Sequence, residues 1–158
     1  MTHNGSRFSL PCVPGCSHDV RYVVIGGIAA VLHGVPRATF DLDILVEASL
    51  GNASRLLEAL LEAGFGAASL TTPEDLLGHE STVFADRVRI DVRTSTPGLA
   101  FADAWARRET MTYGGQPFFV VSKEDLIASK QAAGRDDRRA AGSGVLDASP
   151  GGGVGSVP

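Results

Sequence analysis

Tyr22-Val-Val-Ile-Gly-Gly-Ile-Ala-Ala-Val-Leu-His-Gly-Val-Pro-Arg-Ala-Thr-Phe-Asp-Leu-Asp-Ile-Leu-Val-Glu47 decides how this chain is read, because it joins a glycine turn to a pair of alternating carboxylates. Val23, Val24 and Ile25 form a β-branched apolar run, the pattern of a buried strand, and Gly26-Gly27 ends it sharply. Ile28 to Leu32 is short and apolar, and Gly34 with Pro36 closes it as a helix is closed. A second strand is expected from Phe40. Within it Asp41 and Asp43 stand two residues apart, so the strand period sends both to one face and turns Leu42 and Ile44 to the core.

Two acids on one strand edge repel each other. At the start of an otherwise apolar strand they call for a cation, and oxygen-only ligation favours Mg²⁺ or Mn²⁺. The glycine turn supplies a complementary feature. Backbone N–H groups at a helix start carry partial positive charge, and glycine lets a phosphate come close to the chain. Taken singly, Gly26-Gly27 reads equally well as a tight turn, and the aspartates as polar ends of a strand. The two features in one stretch favour the chemical reading.

A third acid is available at Asp91. Arg87-Val-Arg-Ile-Asp-Val-Arg93 alternates strictly, with Val88, Ile90 and Val92 on one side and Arg87, Arg89, Asp91 and Arg93 on the other. Ser81-Thr-Val-Phe-Ala85 reads as its antiparallel partner, with Asp86-Arg87 near the turn. The competing role for Asp91 is a cross-strand ion pair with a neighbouring arginine, which is common and weakly stabilising.

The order of glycine pair, thirteen-residue spacer from Ile28 to Phe40, and Asp-x-Asp in a strand resembles the signature of the nucleotidyltransferase superfamily with a polymerase-β-like palm. Gly-Gly-Ile-Ala-Ala-Val-Leu-His-Gly, followed by Arg37, Thr39, Asp41 and Asp43, is most similar to the bacterial branch containing AbiEii-type toxins and related small proteins. The resemblance covers roughly Arg21 to Arg139 and extends to Ser122-Lys-Glu-Asp-Leu-Ile-Ala-Ser-Lys130. It implies that Gly26 and Gly27 hold nucleotide phosphates, that Asp41, Asp43 and Asp91 hold divalent metal, and that Lys130 and Arg37 contact phosphate. It further implies a nucleoside triphosphate as substrate, an RNA end, a protein or a small molecule as acceptor, and a toxin–antitoxin setting with a cognate partner. Lys130 and Arg37 read as readily as exposed solubilising cations. His33, on the short helix after the glycines, reads best as a partly buried packing residue.

Composition narrows the alternatives. With 158 residues, 44% of them hydrophobic and 20% charged, the chain suffices for one domain with its own core. No apolar run approaches the length of a membrane span and no signal peptide is recognisable, so a cytoplasmic protein is expected. A formal net charge of −4 argues against a broadly basic nucleic-acid-coating protein, although arginines cluster locally. Cys12, Cys16 and His18 have irregular spacing and lack a fourth ligand, which disfavours zinc. No Gly-x-Gly-x-x-Gly follows Ile25, which disfavours a dinucleotide-binding domain.

The remaining elements are expected in mixed order. Ser49 or Asn52 caps a helix with Leu56, Leu57, Leu60 and Leu61 on one side and Gly64 at its end. Thr72-Pro-Glu-Asp opens a short helical turn, Phe101 to Arg108 is helical, and Glu109–Tyr113 pairs with Pro117–Val121 around Gly114-Gly115. Ser122 and Asp125 then open a last helix. The expected fold is α+β, a nucleotidyltransferase-like mixed central sheet flanked by helices, over residues 20–139. Residues 1–19 are expected to be a flexible leader, and 140–158 a disordered tail rich in glycine, serine and proline. The expected activity is Mg²⁺-dependent nucleotidyl transfer. The alternative is a non-catalytic nucleotide-binding or interaction protein that keeps the same palm.

Overall fold

A computed structural model describes residues 18–36, 38, 41–113 and 115–134. The expectations for the leader up to residue 17, for Arg37 and for the tail therefore lie outside the described residues. Within them the chain runs β1 (Tyr22–Ile25), α1 (Gly26–Leu32), β2 (Asp41–Val46), α2 (Leu50–Glu62), a 3-10 turn (Gly66–Leu70), α3 (Pro73–Leu77), β3 (Ser81–Ala85), β4 (Arg89–Arg93), α4 (Phe101–Ala106), β5 (Glu109–Tyr113) and β6 (Gln116–Val120). A last helix, α5, covers 123–134.

The six strands form one sheet in the order β3-β4-β2-β1-β6-β5. β1 runs antiparallel to β2 and parallel to β6, β2 runs parallel to β4, and the two outer pairs, β3 with β4 and β5 with β6, are antiparallel. The sheet is mixed for a reason the sequence contains. Tight turns near Asp86 and Gly115 make local hairpins, whereas β2 and β4 are separated by α2 and α3, long enough for a parallel crossover. The mixed α+β architecture, helices flanking a mixed sheet, is the one expected.

The centre of the sheet is apolar on both sides. Tyr22, Val23, Val24 and Ile25 are all buried, as a central strand covered on two faces requires. Leu42, Ile44, Leu45, Val46, Ile90, Val92 and Phe84 join them, together with Leu56, Leu57 and Leu60 of α2. Leu61 departs from the expected stripe and is 43% exposed, because the helix turns Ala53, Leu56, Leu57 and Leu60 inward and carries the next leucine past the edge. β4 begins at Arg89 rather than Arg87, since Asp86 N–H donates to the Val88 carbonyl and commits 86–88 to the turn. α4 likewise stops at Ala106, two residues short of Arg108.

Local chemistry sets the helix ends. Ser49 Oγ accepts from Asn52 N–H to cap α2, and Thr72 with Asp75 forms a reciprocal capping box with Pro73 in the first turn of α3. Asn52 itself does something else. Fully buried, its side chain accepts from Arg21 N–H at 2.8 Å and donates to the carbonyls of Arg21 at 3.0 Å and Glu47 at 2.9 Å. One amide thereby ties the start of β1 and the end of β2 to α2. Among the described residues no helix is long and apolar enough to cross a membrane.

Candidate active site

The pairing of β1, β2 and β4 builds the candidate site. Ile25 stands opposite Asp43 in the antiparallel register, and Asp43 stands beside Asp91 in the parallel one. Residues side by side in a ladder share a face, and Asp41 lies two positions before Asp43, so all three acids lie on the same side of the sheet. Leu42, between Asp41 and Asp43, and Ile44, after them, go to the opposite side and are buried.

Gly26 is bound to this arrangement sterically. It holds a left-handed φ of +71°, and a Cβ there would collide with a carboxylate oxygen of Asp43 and approach its Cγ to 3.1 Å. The glycine thus makes room for the acid as well as turning the strand into α1. Gly27 is the second residue of that helix.

The carboxylates differ in their surroundings. Asp41 is exposed and Asp43 half-buried. Asp91 is only 8% exposed, accepts a short hydrogen bond from Ser81 Oγ, and has Arg93 Nη2 at 3.9 Å. Burial pushes the Asp43 carboxyl above its usual range, and the negative charges of Asp91 and Asp41 push the same way, while Arg93 and Arg89 oppose them. The site therefore holds negative charge that the neighbouring arginines only partly balance. A hard divalent cation answers that need in charge and in donor type, three oxygen-bearing side chains on one face. As they stand, the side chains are spread: among the described residues no three acid, histidine or cysteine groups are drawn together at metal-holding spacing. Asp91 in particular is engaged with Ser81.

A cleft of about 310 Å³ opens at this point, lined by Gly26 and Asp43 on one wall and by Leu126, Ser129 and Lys130 of α5 on the other, with Arg93, Thr96 and Pro97 between. Gly98 seats the 94–100 loop on α5: it has φ +73°, and a Cβ there would stand 2.5 Å from that of Ala132. The fold thus brings Gly26, Asp43 and Lys130 to one cleft, with Asp91 and Asp41 alongside Asp43 on the strands. Arg93, which the sequence shows only as one of several strand arginines, lines the same cleft. Its alternation with Asp91 was the available signal, but the cleft needs α5 to exist.

His33 lies elsewhere. Its Nε2 is 2.8 Å from the Val121 carbonyl and 3.4 Å from Glu109 Oε2, in a second cleft lined also by Arg107, Ser122, Lys123 and Glu124. It is a packing residue of the α1–β6 junction. Ser122 Oγ accepts from Asp125 N–H at 3.2 Å to start α5, but the Asp125 carboxylate turns to Arg107 Nε and Nη2 instead of completing a capping box.

The architecture is similar to the crystal structure of a proposed nucleotidyltransferase from Thermotoga maritima, with a TM-score of 0.63 at 16% identity over 87% of this chain and 88% of that one. At such identity the likeness defines a fold, and the fold is nucleotidyltransferase-like. No protein-family profile matches the chain. No curated protein matches it either.

Proposed function

We propose that the chain is a Mg²⁺-dependent nucleotidyltransferase, moving a nucleoside monophosphate from a nucleoside triphosphate to an acceptor hydroxyl. The observation that carries this reading is the meeting of Gly26, Asp43 and Lys130 in one cleft, with Asp91 in register beside Asp43. Gly26 and Gly27 hold phosphate oxygens against the chain, and Lys130 reaches the same phosphates from α5. Asp41, Asp43 and Asp91 are the residues to hold Mg²⁺ or Mn²⁺. When bound, the metal neutralises phosphate charge and polarises the attacking and leaving oxygens. The acceptor oxygen bonds to the α-phosphorus, the bond to the β-phosphate's bridging oxygen breaks, and pyrophosphate leaves. Asp91 would take the acceptor's proton, or would help to hold the metal while that proton passes to solvent. Positioning and charge neutralisation do most of the work.

By resemblance, the acceptor is an RNA end, a protein or a small molecule, and the setting is a cytoplasmic toxin–antitoxin pair of the AbiEii type. A thermal-shift screen of the four nucleoside triphosphates with and without Mg²⁺ tests the core of the proposal, since a ligand that binds only the folded state raises its stability. Metal-dependent stabilisation by one or more of them is expected; none in any combination overturns it. A second reading, a protein that binds nucleotide without transferring it, is favoured by one feature, the engagement of Asp91 by Ser81. Stabilisation without pyrophosphate release in the presence of all three acceptor classes would decide for it.

A further inference from the structure

Arg93 stands where two demands meet. It follows Asp91 by two positions on β4 and so projects to the same face, with Leu45 beside it on β2 and Ser81 on β3. Its guanidinium is 3.9 Å from Asp91, an ion-pair distance longer than a hydrogen bond, and its side chain keeps 38% of its surface in solvent. It also lines the cleft that holds Gly26, Asp43 and Lys130. Arg93 and Lys130 are the two cations of that lining, one on the sheet and one on α5. Lys130 makes no ion pair among the described residues, so the cleft has one uncommitted cation and one loosely committed to acid.

The acids and the arginine compete for the same charge. Without a divalent cation, the guanidinium is the one cation within ion-pair distance of Asp91 among the described residues. Were Asp41, Asp43 and Asp91 to hold a divalent metal, it would take over that role and Arg93 would be free for the cleft. An arginine fork matches two oxygens of a phosphate in a way an ammonium does not.

We propose that Arg93 is a polyphosphate-binding residue that changes partner: it balances the acids when they carry no metal and, once metal is bound, clamps the substrate's phosphates together with Lys130. This inference rests on the nucleotidyltransferase reading and adds to it a residue with two opposed effects. Removing Arg93 frees the acids for metal and weakens the hold on phosphate. A residue that merely supported the fold would weaken both.

Two titrations of the full chain separate these cases. The probes are Mn²⁺ alone, followed by loss of the free-ion electron paramagnetic resonance signal, and tripolyphosphate with saturating Mg²⁺, followed by calorimetry. Arg93→Ala is expected to bind tripolyphosphate about tenfold or more weakly, the scale of a lost charged hydrogen bond. The same variant is expected to bind Mn²⁺ up to about fivefold more tightly, the scale of a solvent-exposed ion pair. Arg93→Lys keeps the charge and loses the fork, so its Mn²⁺ affinity stays at the parent value while its tripolyphosphate affinity falls between the other two. Arg93→Gln replaces the alanine variant if circular dichroism shows that alanine does not fold. Unchanged tripolyphosphate affinity, or a parallel fall in both affinities, overturns the assignment of Arg93 alone. If the parent chain takes up no tripolyphosphate with Mg²⁺, the nucleotidyltransferase reading falls and this inference falls with it.

Discussion

The two polar clefts of this molecule treat charge in opposite ways. In the cleft beside the α1–β6 junction the less exposed charges are paired: Arg107 donates to both carboxylate oxygens of buried Asp125 at 2.8 to 3.2 Å, and His33 faces Glu109. The Asp125 hydrogen bonds raise the Arg107 guanidinium further above its ordinary value. On the β1–β2–β4 face, Asp43 sits half-buried near Asp41 and Asp91, and Arg93 stands 3.9 Å from Asp91. The first arrangement fastens elements to one another, the end of α4 to α5 through Arg107 and Asp125 and the end of α1 to the start of β5 through His33 and Glu109. The second crowds like charges around a half-buried carboxyl with no fastening role, the kind of arrangement that is found at binding sites.

The largest expected effect comes from removing the unbalanced charges themselves. Asp41→Asn together with Asp43→Asn should abolish Mg²⁺-dependent triphosphate binding, a loss of at least about a hundredfold for two ligands of a hard cation. The circular dichroism spectrum should stay native. Calorimetry showing parental affinity would erase the distinction between the clefts.

Asp91→Ala separates the chemical role of that residue from a structural one. Nucleotidyl transfer should drop about a hundredfold, the scale of a lost catalytic acid or base. If Asp91 only serves Ser81 and Arg93, its loss should cost about 1–3 kcal/mol, the scale of a buried hydrogen-bonded acid, and leave pyrophosphate release unchanged.

Gly26→Ala joins the two questions at one atom. The left-handed backbone alone should cost about 1–2 kcal/mol, and the Asp43 carboxylate must also move. Chemical denaturation should report the first effect, and a weakened response to Mg²⁺ with triphosphate the second. A neutral result in both would show that the close approach of glycine and acid is not needed.

The balanced cleft supplies the control. Asp125→Ala leaves Arg107 without its partner and should lower the thermal midpoint by roughly 5–10 °C. Triphosphate affinity should not change. A fall in affinity comparable with that of the acid variants would mean that the clefts act as one.

The smallest effect tests the sign of the electrostatics. A carboxyl whose folded pKa lies above its unfolded value destabilises the fold once ionised, and that cost fades as pH falls from the raised value toward about 3.8. Asp43→Asn should therefore melt slightly higher than the parent at neutral pH, and the gap should close on acidification through that window. A parent more stable than the variant at neutral pH without metal would show that Arg93 and Arg89 outweigh burial and the neighbouring acids.

Much of the fold was legible because it is written over short distances. A period of two assigned Asp41 and Asp43 to one face, a Thr-Pro-Glu-Asp run marked the start of the short helix at Pro73, and glycine near 115 marked the β5–β6 hairpin. Neighbouring residues alone fix each of these, through sterics and backbone hydrogen bonds. Leu61 and Arg87 were misplaced at element edges, where periodicity continues but the hydrogen bonding that defines the element has stopped.

What only the tertiary structure decided is which distant residues meet. Nothing local says that Asp91 pairs in register with Asp43, that Gly26 must lack a side chain because of an acid on another strand, or that Arg93 and Lys130 line one cleft. Nor does a capping pattern at Ser122 and Asp125 reveal that the carboxylate belongs to Arg107. These meetings depend on strand order, on the register of a parallel crossover and on where α5 packs. All three are set by burial of the shared core, a sum over many residues that no single stretch of sequence contains. The sequence determined the chemistry that each element carries; packing decided which of those chemistries came within reach of one another.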